Sequence, residues 1–389
     1  MPWREVSTVD QRREFVALAS VEGANRRELC RRFGISAQTG YKWLSRVTGD
    51  AADLSDCSRQ PHASPSRSSD VIEALVLAVR DVHPAWGARK IERCLARDGH
   101  DATALSTIHA ILKRHGRVVP PAGKSGQPWQ RFEKDAPNVM WQMDFKGHMP
   151  LGRGGDCHPL TVIDDHSRYA VCLKACANEQ ANTVQDAMTR TFERYGLPEF
   201  ILADNGSPWG DGPYRGWTRL GVWLLKLGTG LYHGRPYHPQ THGKNERFNR
   251  TLKAEVFAMK RFQDLRDAQH ALDAWRSVYN LERPHEALGQ EVPASRYTPS
   301  SRSMPKNLPV VEYDDGEILR TVDTTRSYIS FKGRHWRMPQ AFRGERIAIR
   351  PKAKDGLFDV CFGAHKIAEI DLNRLVSYVS EQVSTMSPG

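Results

Sequence analysis

The chain has 389 residues, 39% of them hydrophobic and 9% aromatic. That is enough for two or three packed domains and excludes a wholly disordered chain. Lys and Arg total 56 against 45 Asp and Glu, a net charge of +11; such an excess points to a polyanion, most often nucleic acid. No run approaches the ~18 apolar residues of a membrane span, and the first residues lack the apolar core of a signal peptide. Seven cysteines (Cys30, Cys57, Cys94, Cys157, Cys172, Cys176, Cys361) are sparse and odd in number, which fits a reducing cytoplasm better than a disulfide framework. Cys172 and Cys176 lie in an apolar run and read as core residues rather than zinc ligands.

Three stretches rich in Pro, Gly and Ser, 51–69, 117–138 and 290–309, read as linkers. They leave blocks 1–50, 70–116, 139–289 and 310–378, with a tail at 379–389. In the first block, Phe15, Leu18 and Ala19 share one side of a helix. Asn25 with Glu28 opens a second helix, Gly34 ends it, and Ser36 caps a third. Helix, short turn, helix is the helix-turn-helix pattern. Gln38, Thr39 and Lys42 face outward on the last helix, with Trp43 and Leu44 as core. Gln and Thr can read base edges and Lys can hold phosphate. The plainer reading is a small helical bundle, and Gly40 costs this helix ~1 kcal/mol relative to Ala.

Block 70–116 is helical again. Val71, Leu75, Ala78 and Val79 form a stripe, a helix restarts after His83-Pro84, and Ser106 caps a last one with Ile108, Ile111 and Leu112 inward. Arg89, Lys90, Lys113 and Arg114 are its candidate DNA contacts; the alternative is a passive spacer. Block 139–289 changes character. Residues 140–146 alternate like a strand, with Gln142, Asp144 and Lys146 opposite Trp141, Met143 and Phe145. Further strands at 160–164, 169–173 and 199–204 mix with helices at 181–195, 242–259 and 264–279, giving an α/β domain. Block 310–378 holds short strand-like runs separated by turns such as Lys332-Gly333 and Asp355-Gly356, and a small β-barrel is expected.

The acids of the third block carry the chemistry. A mid-strand Asp such as Asp144 is costly unless paired, hydrogen-bonded or bound to metal. Asp204 ends a hydrophobic strand. Glu246 shares a helix face with Arg250 and Lys253, while Phe248, Leu252, Val256 and Met259 form the opposite stripe. Three carboxylates on two strands and a helix can hold two Mg²⁺ or Mn²⁺ ions ~4 Å apart. Residues 234–261 carry seven Lys or Arg against two Glu, so Lys244, Arg247, Arg250 and Lys253 are candidate backbone contacts. Each feature has a plainer reading: Asp204-Asn205-Gly206 is a common turn, Asp144 a structural acid, and the Glu246 helix an ordinary amphipathic one. Asp164, Asp165 and His166 crowd a strand end, where capping the turn toward Ser167-Arg168 is preferred over metal ligation.

Several motifs occur in order: Trp141-Gln142-Met143-Asp144-Phe145-Lys146-Gly147, Ile163-Asp164-Asp165-His166-Ser167-Arg168-Tyr169, Asp204-Asn205-Gly206, and 235–253 with His238-Pro239-Gln240-Thr241-His242-Gly243-Lys244-Asn245-Glu246. Tyr279-Asn280 and Arg283-Pro284-His285 follow. The set resembles the catalytic core of bacterial insertion-sequence transposases of the DDE, retroviral-integrase-like superfamily, and residues 28–36 and 83–91 are similar to its helical DNA-binding region. The resemblance implies an RNase H-like core with Asp144, Asp204 and Glu246 as the metal-binding catalytic acids and two Mg²⁺ (or Mn²⁺) ions. It implies cleavage at element ends and transfer of the 3′-hydroxyl into target DNA. Terminal inverted repeats, target DNA and a homodimer or larger assembly are the implied partners, in the bacterial cytoplasm at the nucleoid. The 42 positions between Asp204 and Glu246 exceed the family's usual spacing. The extra length, 207–230, reads as a loop that contacts DNA, and Glu255 is the alternative acid. A non-catalytic DNA-binding regulator and a nuclease on the same core are the competing functions.

Overall fold

A computed structural model describes residues 7–47, 54–56, 67–101, 103–118, 133–204, 206–210, 216–233, 243–374 and 376–379. The chain divides into two compact units, Met1–Arg67 and Ser68–Gly389. No described helix is long and apolar enough to cross a membrane.

The first unit holds α1 (Thr8–Ala19), α2 (Arg26–Arg32) and α3 (Ala37–Leu44). Each starts where a side chain, Ser7, Asn25 or Ser36, accepts a hydrogen bond from a first-turn amide, which satisfies an otherwise orphaned donor. Phe15, Val16, Ala19, Cys30, Trp43 and Leu54 form the core. Leu54 lies in the expected linker, yet it is buried; Arg12 donates to its carbonyl at 2.9 Å and Arg46 to that of Ser55 at 3.2 Å. Residues 54–56 therefore belong to the bundle.

The second unit opens with α4 (Asp70–Val82), α5 (Ala88–Arg97) and α6 (Leu105–Arg114), closed around Val76, Trp86, Ile91, Leu95, Ile108 and Ile111. The mixed sheet follows: β1 (Met140–Phe145), β2 (Met149–Pro150), β3 (Asp156–Asp164), β4 (Ala170–Cys176), β5 (Phe200–Ala203) and β6 (Gly230–His233). β3 runs antiparallel to β1, β2 and β4, whereas β5 runs parallel to both β1 and β6. Helices α7 (Ala181–Tyr195) and α8 (Arg219–Lys226) cover one face; α9 (Gly243–Leu252), a π-helical turn (Lys253–Phe257) and α10 (Leu265–Leu281) cover the other. The alternation expected of β1 holds. Trp141 and Met143 pack with α7 and α8, and Gln142 and Asp144 bond to α9. This is the expected RNase H-like arrangement.

An uncovered edge strand invites pairing with other chains. The outer edge of β4 is closed by one stripe of α10: Gln269 bonds Ala175 N and Leu173 O, Arg276 bonds Val171 O, and Asn280 bonds both backbone groups of Ala170. Residues 290–309, expected as a linker, instead strap the core. Ser300 N donates to Tyr195 O, Leu197 N to Arg302 O, and the Arg302 guanidinium to the carbonyls of Pro198, Leu227 and Gly228. A Cβ on Gly196 would fall 2.6 Å from Ser300 O, so only glycine lets the strap lie this close.

The C-terminal strands are β7 (Ile318–Thr321), β8 (Tyr328–Phe331), β9 (Arg334–Arg337), β10 (Arg346–Pro351), β11 (Leu357–Phe362), β12 (His365–Asp371) and β13 (Val376–Val379). Among the described residues the strands form an antiparallel sheet, β13-β12-β11-β10-β7, with β8 and β9 as a hairpin, and no closure of the expected barrel is found among them. Side chains rather than a backbone ladder tie the hairpin to both edges: Arg320 Nε donates to Ser330 O at 2.8 Å and Ser377 Oγ to Arg337 O at 3.1 Å. The stretch 207–230, expected as a DNA-contacting loop, contains α8. That helix sends Leu220, Trp223 and Leu224 into the RNase H-like core and Val222 into the core of the C-terminal sheet. Lys226 pairs with Glu345 at 2.6 Å.

Candidate active site and DNA interface

The parallel register pairs Met140 with Phe200 and Gln142 with Leu202. Continued by two residues, it sets Asp144 level with Asp204, on neighbouring strands about 4.8 Å apart. Burial, and after it the negative charge of Asp204, raises the Asp144 carboxyl to about 6; like charges at close quarters cannot both ionise freely. Asn249 Nδ2 donates to Asp144 Oδ2 at 2.8 Å. Asp204 Oδ1 accepts from Gly206 N at 3.0 Å.

Helix α9 is pinned beside these acids along one face. Asn245 N donates to Gln142 Oε1 at 3.3 Å and its Oδ1 accepts from Thr161 at 3.1 Å. Lys244 Nζ pairs with the buried Asp165 at 2.6 Å. Glu246 lies one turn before Asn249 and is exposed. The fold thus brings Asp144 and Asp204 together and leaves Glu246 on the open side of the adjoining helix. Among the described residues no three His, Cys, Asp or Glu side chains are close enough to hold a metal ion. Glu255, the alternative acid, is committed elsewhere: it accepts from Trp275 Nε1 at 2.9 Å and Arg283 Nε at 3.1 Å, almost wholly buried.

Asp164 and Asp165 are structural. Asp164 accepts from Ser167 N, Ser167 Oγ and Asn138 N, and Asp165 from Lys134 N, Gln142 Nε2 and Lys244. They grip the segment that leads into β1. Asn245 and Asn249, absent from the sequence-derived site, carry its geometry. Their signal was available: two amides four apart beside Phe248 and Leu252, on the face that α9 buries.

The DNA contacts divide. Gln38, Lys42, Lys113, Arg250 and Lys253 are exposed, and Thr39 is half-buried with its hydroxyl 2.9 Å from Ser36 Oγ. Arg247 is exposed with Glu286 3.6 Å away. Three expected contacts are engaged by protein, and a fourth is half-buried. Lys244 is half-buried against Asp165, and desolvation lowers its amine to about 8. Arg114 pairs with buried Glu73. Arg89 pairs with Glu286. Lys90 is half-buried, and desolvation, then Arg283, lowers it to about 8. The cause is visible along α5: Arg89, Arg93 and Arg97, one every four residues, meet Glu286, Glu291 and the carbonyl of Glu282.

Residues 134–239 and 227–293 match families described as integrase core domain. Residues 7–55 and 39–112 match homeodomain-like domains, and residues 317–375 match the C-terminal domain of the IS481 family transposases. In chain order these matches, homeodomain-like, integrase core and IS481-type C-terminal, are the parts of an insertion-sequence transposase. The chain is similar to the 31.7 kDa protein of insertion element IS407 from Burkholderia multivorans, 26% identical over 60% of this chain and 82% of that one. It is also similar to the 39.2 kDa protein of insertion element IS476 from Xanthomonas euvesicatoria, 22% identical over 62% and 69%. Among solved structures it is similar to a chain of a simian T-cell lymphotropic virus intasome in complex with PP2A regulatory subunit B56 gamma, 17% identical over 80% of this chain and 100% of that one, with a TM-score of 0.37.

Proposed function

We propose that this transposase cuts DNA at the ends of its element and joins the freed 3′-hydroxyl to target DNA, with Asp144, Asp204 and Glu246 as its catalytic acids. The observation that carries the reading is the placement of Asp144 level with Asp204 on adjacent parallel strands. Oxygen-only donors with a mutually repelling pair fit a hard divalent cation, Mg²⁺ or Mn²⁺. Asp144 and Asp204 would hold such ions, two per site in this reading, with Glu246 as the third carboxylate from α9, and when bound they would supply neutralising charge to the phosphoryl oxygens of an in-line displacement. Asn249 fixes the rotamer of Asp144, and the Lys244–Asp165 pair holds the start of α9. Arg250 and Lys253 steady the DNA backbone. No side chain acts as nucleophile, so no covalent enzyme intermediate forms. Gln38, Thr39 and Lys42 contribute to recognition of the terminal inverted repeats, and pairing two ends requires at least a dimer.

The test is a joining assay with duplexes carrying the element's terminal repeats, in Mg²⁺ or Mn²⁺. Wild type should cut and join. Asp144→Asn should bind the same duplex and do neither; unchanged cleavage by that variant overturns the assignment. Cleavage without joining identifies a nuclease, and binding without either reaction identifies a regulator.

A further inference from the structure

Strand β6 ends at His233, which lies beside Asp204 and is neither one of the proposed acids nor a proposed DNA contact. We infer that His233 is a positioning residue for the proposed reaction: its ring holds the backbone of Asp204 and thereby fixes where that carboxylate sits. The inference deepens the proposed function and rests on its assignment of Asp204 as a catalytic acid.

Two observations carry it. The first is the bond. β5 and β6 pair in parallel from Phe200–Gly230 to Ala203–His233, and both strands end there. The carbonyl of Asp204 is thus the first beyond the last strand pair. His233 Nδ1 lies 2.6 Å from it. A carbonyl oxygen only accepts, so Nδ1 carries the hydrogen and donates it. Asp204 is therefore held at its backbone by β6 and at its carboxylate by Gly206 N. Asp144 on the neighbouring strand takes a comparable support from Asn249 of α9, so each acid of the pair has a donor reaching it from another element. The second observation is the residue type. Along β6, Gly230 and Tyr232 are half-buried while Leu231 and His233 are buried. Leu231 lies in the core with Leu220, Trp223 and Leu224, and His233, two positions on, falls on the same face of the strand. That alternation calls for an apolar side chain at 233. A buried imidazole costs desolvation unless it is hydrogen-bonded, and the bond to Asp204 offsets part of that cost. Phenylalanine would fill the position without it, so what histidine adds there is the donor.

The experiment compares His233→Phe, His233→Asn and His233→Gln in the full chain. Asn brings its amide nitrogen to about the place of Nδ1; Gln, one methylene longer, brings it to about the place of Nε2; Phe has no donor. Three quantities are read: the rate of cutting at element ends across Mg²⁺ concentrations, the rise in melting temperature on adding manganese, and affinity for the end duplex without metal. His233→Phe should cut about 10–100-fold more slowly or need that much more metal. Its manganese-induced rise should shrink, and its affinity for DNA should stay at the wild-type value. His233→Asn should restore most of the rate and of the rise, and His233→Gln should behave like His233→Phe. Asn and Gln carry the same amide, so a difference between them reports where the donor sits rather than lost burial. Wild-type rate and metal dependence in His233→Phe overturn the inference. Equal impairment of the Asn and Gln variants also overturns it, as does unfolding of all three, which would make the ring a stability element. Asp204→Asn is the control for the reading beneath: if it cuts as wild type does, the assignment of Asp204 fails, whatever the His233 variants do.

Discussion

Asp144 and His285 show how burial at single residues sets opposite pH dependences. The Asp144 carboxyl titrates near 6 in the folded chain against an ordinary 3.8, raised by burial and then by Asp204. Between those values the folded state holds more protons than the unfolded state, so this group's contribution to stability falls as pH rises through the window. Above pH 6 the ionised acid is a liability until a cation neutralises it. Asp144→Asn should therefore raise the melting temperature of the metal-free chain above pH 6, with the gain disappearing below 3.8. Manganese should raise the melting temperature of wild type and not of the variant. Thermal melts across pH check both, and a variant less stable than wild type above pH 6 would contradict the charge argument. His285 is packed edge-on against Tyr279 at 4.6 Å. Burial pushes it down to about 3 from an ordinary 6.5. The unfolded chain takes up the proton first, so stability is lost as pH falls from 6.5 toward 3. His285→Gln should flatten that slope in urea titrations; a slope equal to wild type's would show the ring is not kept neutral by burial. Asp144 and Asp204 could be read from the sequence because strand alternation and a strand end place them. Lys244 could not, because a lysine on a helix does not reveal that its partner, Asp165, waits on the neighbouring strand end.

Gly40 illustrates an element whose local propensity misleads. Replacing a helical glycine by alanine stabilises an exposed helix by about 1 kcal/mol. Here the new Cβ would sit 2.6 Å from Cys30 Sγ and 2.9 Å from Phe15 Cζ, both side chains of the bundle core. Overpacking of this kind costs about 1–3 kcal/mol, so Gly40→Ala should lower the stability of the first unit. A denaturation curve followed by Trp43 fluorescence in a chain with its other tryptophans replaced would read it; a rise in stability would mean that α3 shifts freely. The same limit explains what sequence patterning delivered for the other elements. Caps at Asn25 and Ser36 and the alternation of β1 are local signals, and the corresponding elements formed, whereas the cap expected at Ser106 falls inside α6, which starts at Leu105. The destination of the α5 arginines was not local. A charge count cannot tell arginines that face DNA from arginines that face Glu286 and Glu291, which lie far along the chain and come alongside only after folding.

Across the whole molecule, composition separated the blocks but not the ways they attach. Pro, Gly and Ser marked 290–309 as a break. Those residues instead bond to loop carbonyls and amides of the core, because a proline-rich extended chain can still use its remaining amides and an arginine to do so. The long Asp204–Glu246 interval acquires a physical reason from α8, a helix with two apolar faces. Leu220, Trp223 and Leu224 serve one core and Val222 the other, with Leu225 packed against the second, so the inserted residues are a shared wall between the RNase H-like core and the C-terminal sheet. Lys226–Glu345 lies at the margin of that wall with both side chains partly solvated, and Lys226→Ala should cost at most about 1 kcal/mol. Val222 is 4% exposed. Val222→Asp would bury a charge with no partner at the junction, a change that costs several kcal/mol unless the surfaces separate. Separation is the cheaper outcome, since each domain keeps its own core. The variant should therefore retain the sequence selectivity of the helical bundles while limited proteolysis cuts between the strap and β7 faster than in wild type, and joining of DNA ends should fall with the loss of the docked sheet. Protease resistance equal to wild type's, in a variant shown by mass to carry the substitution, would mean that α8 does not fasten the two domains.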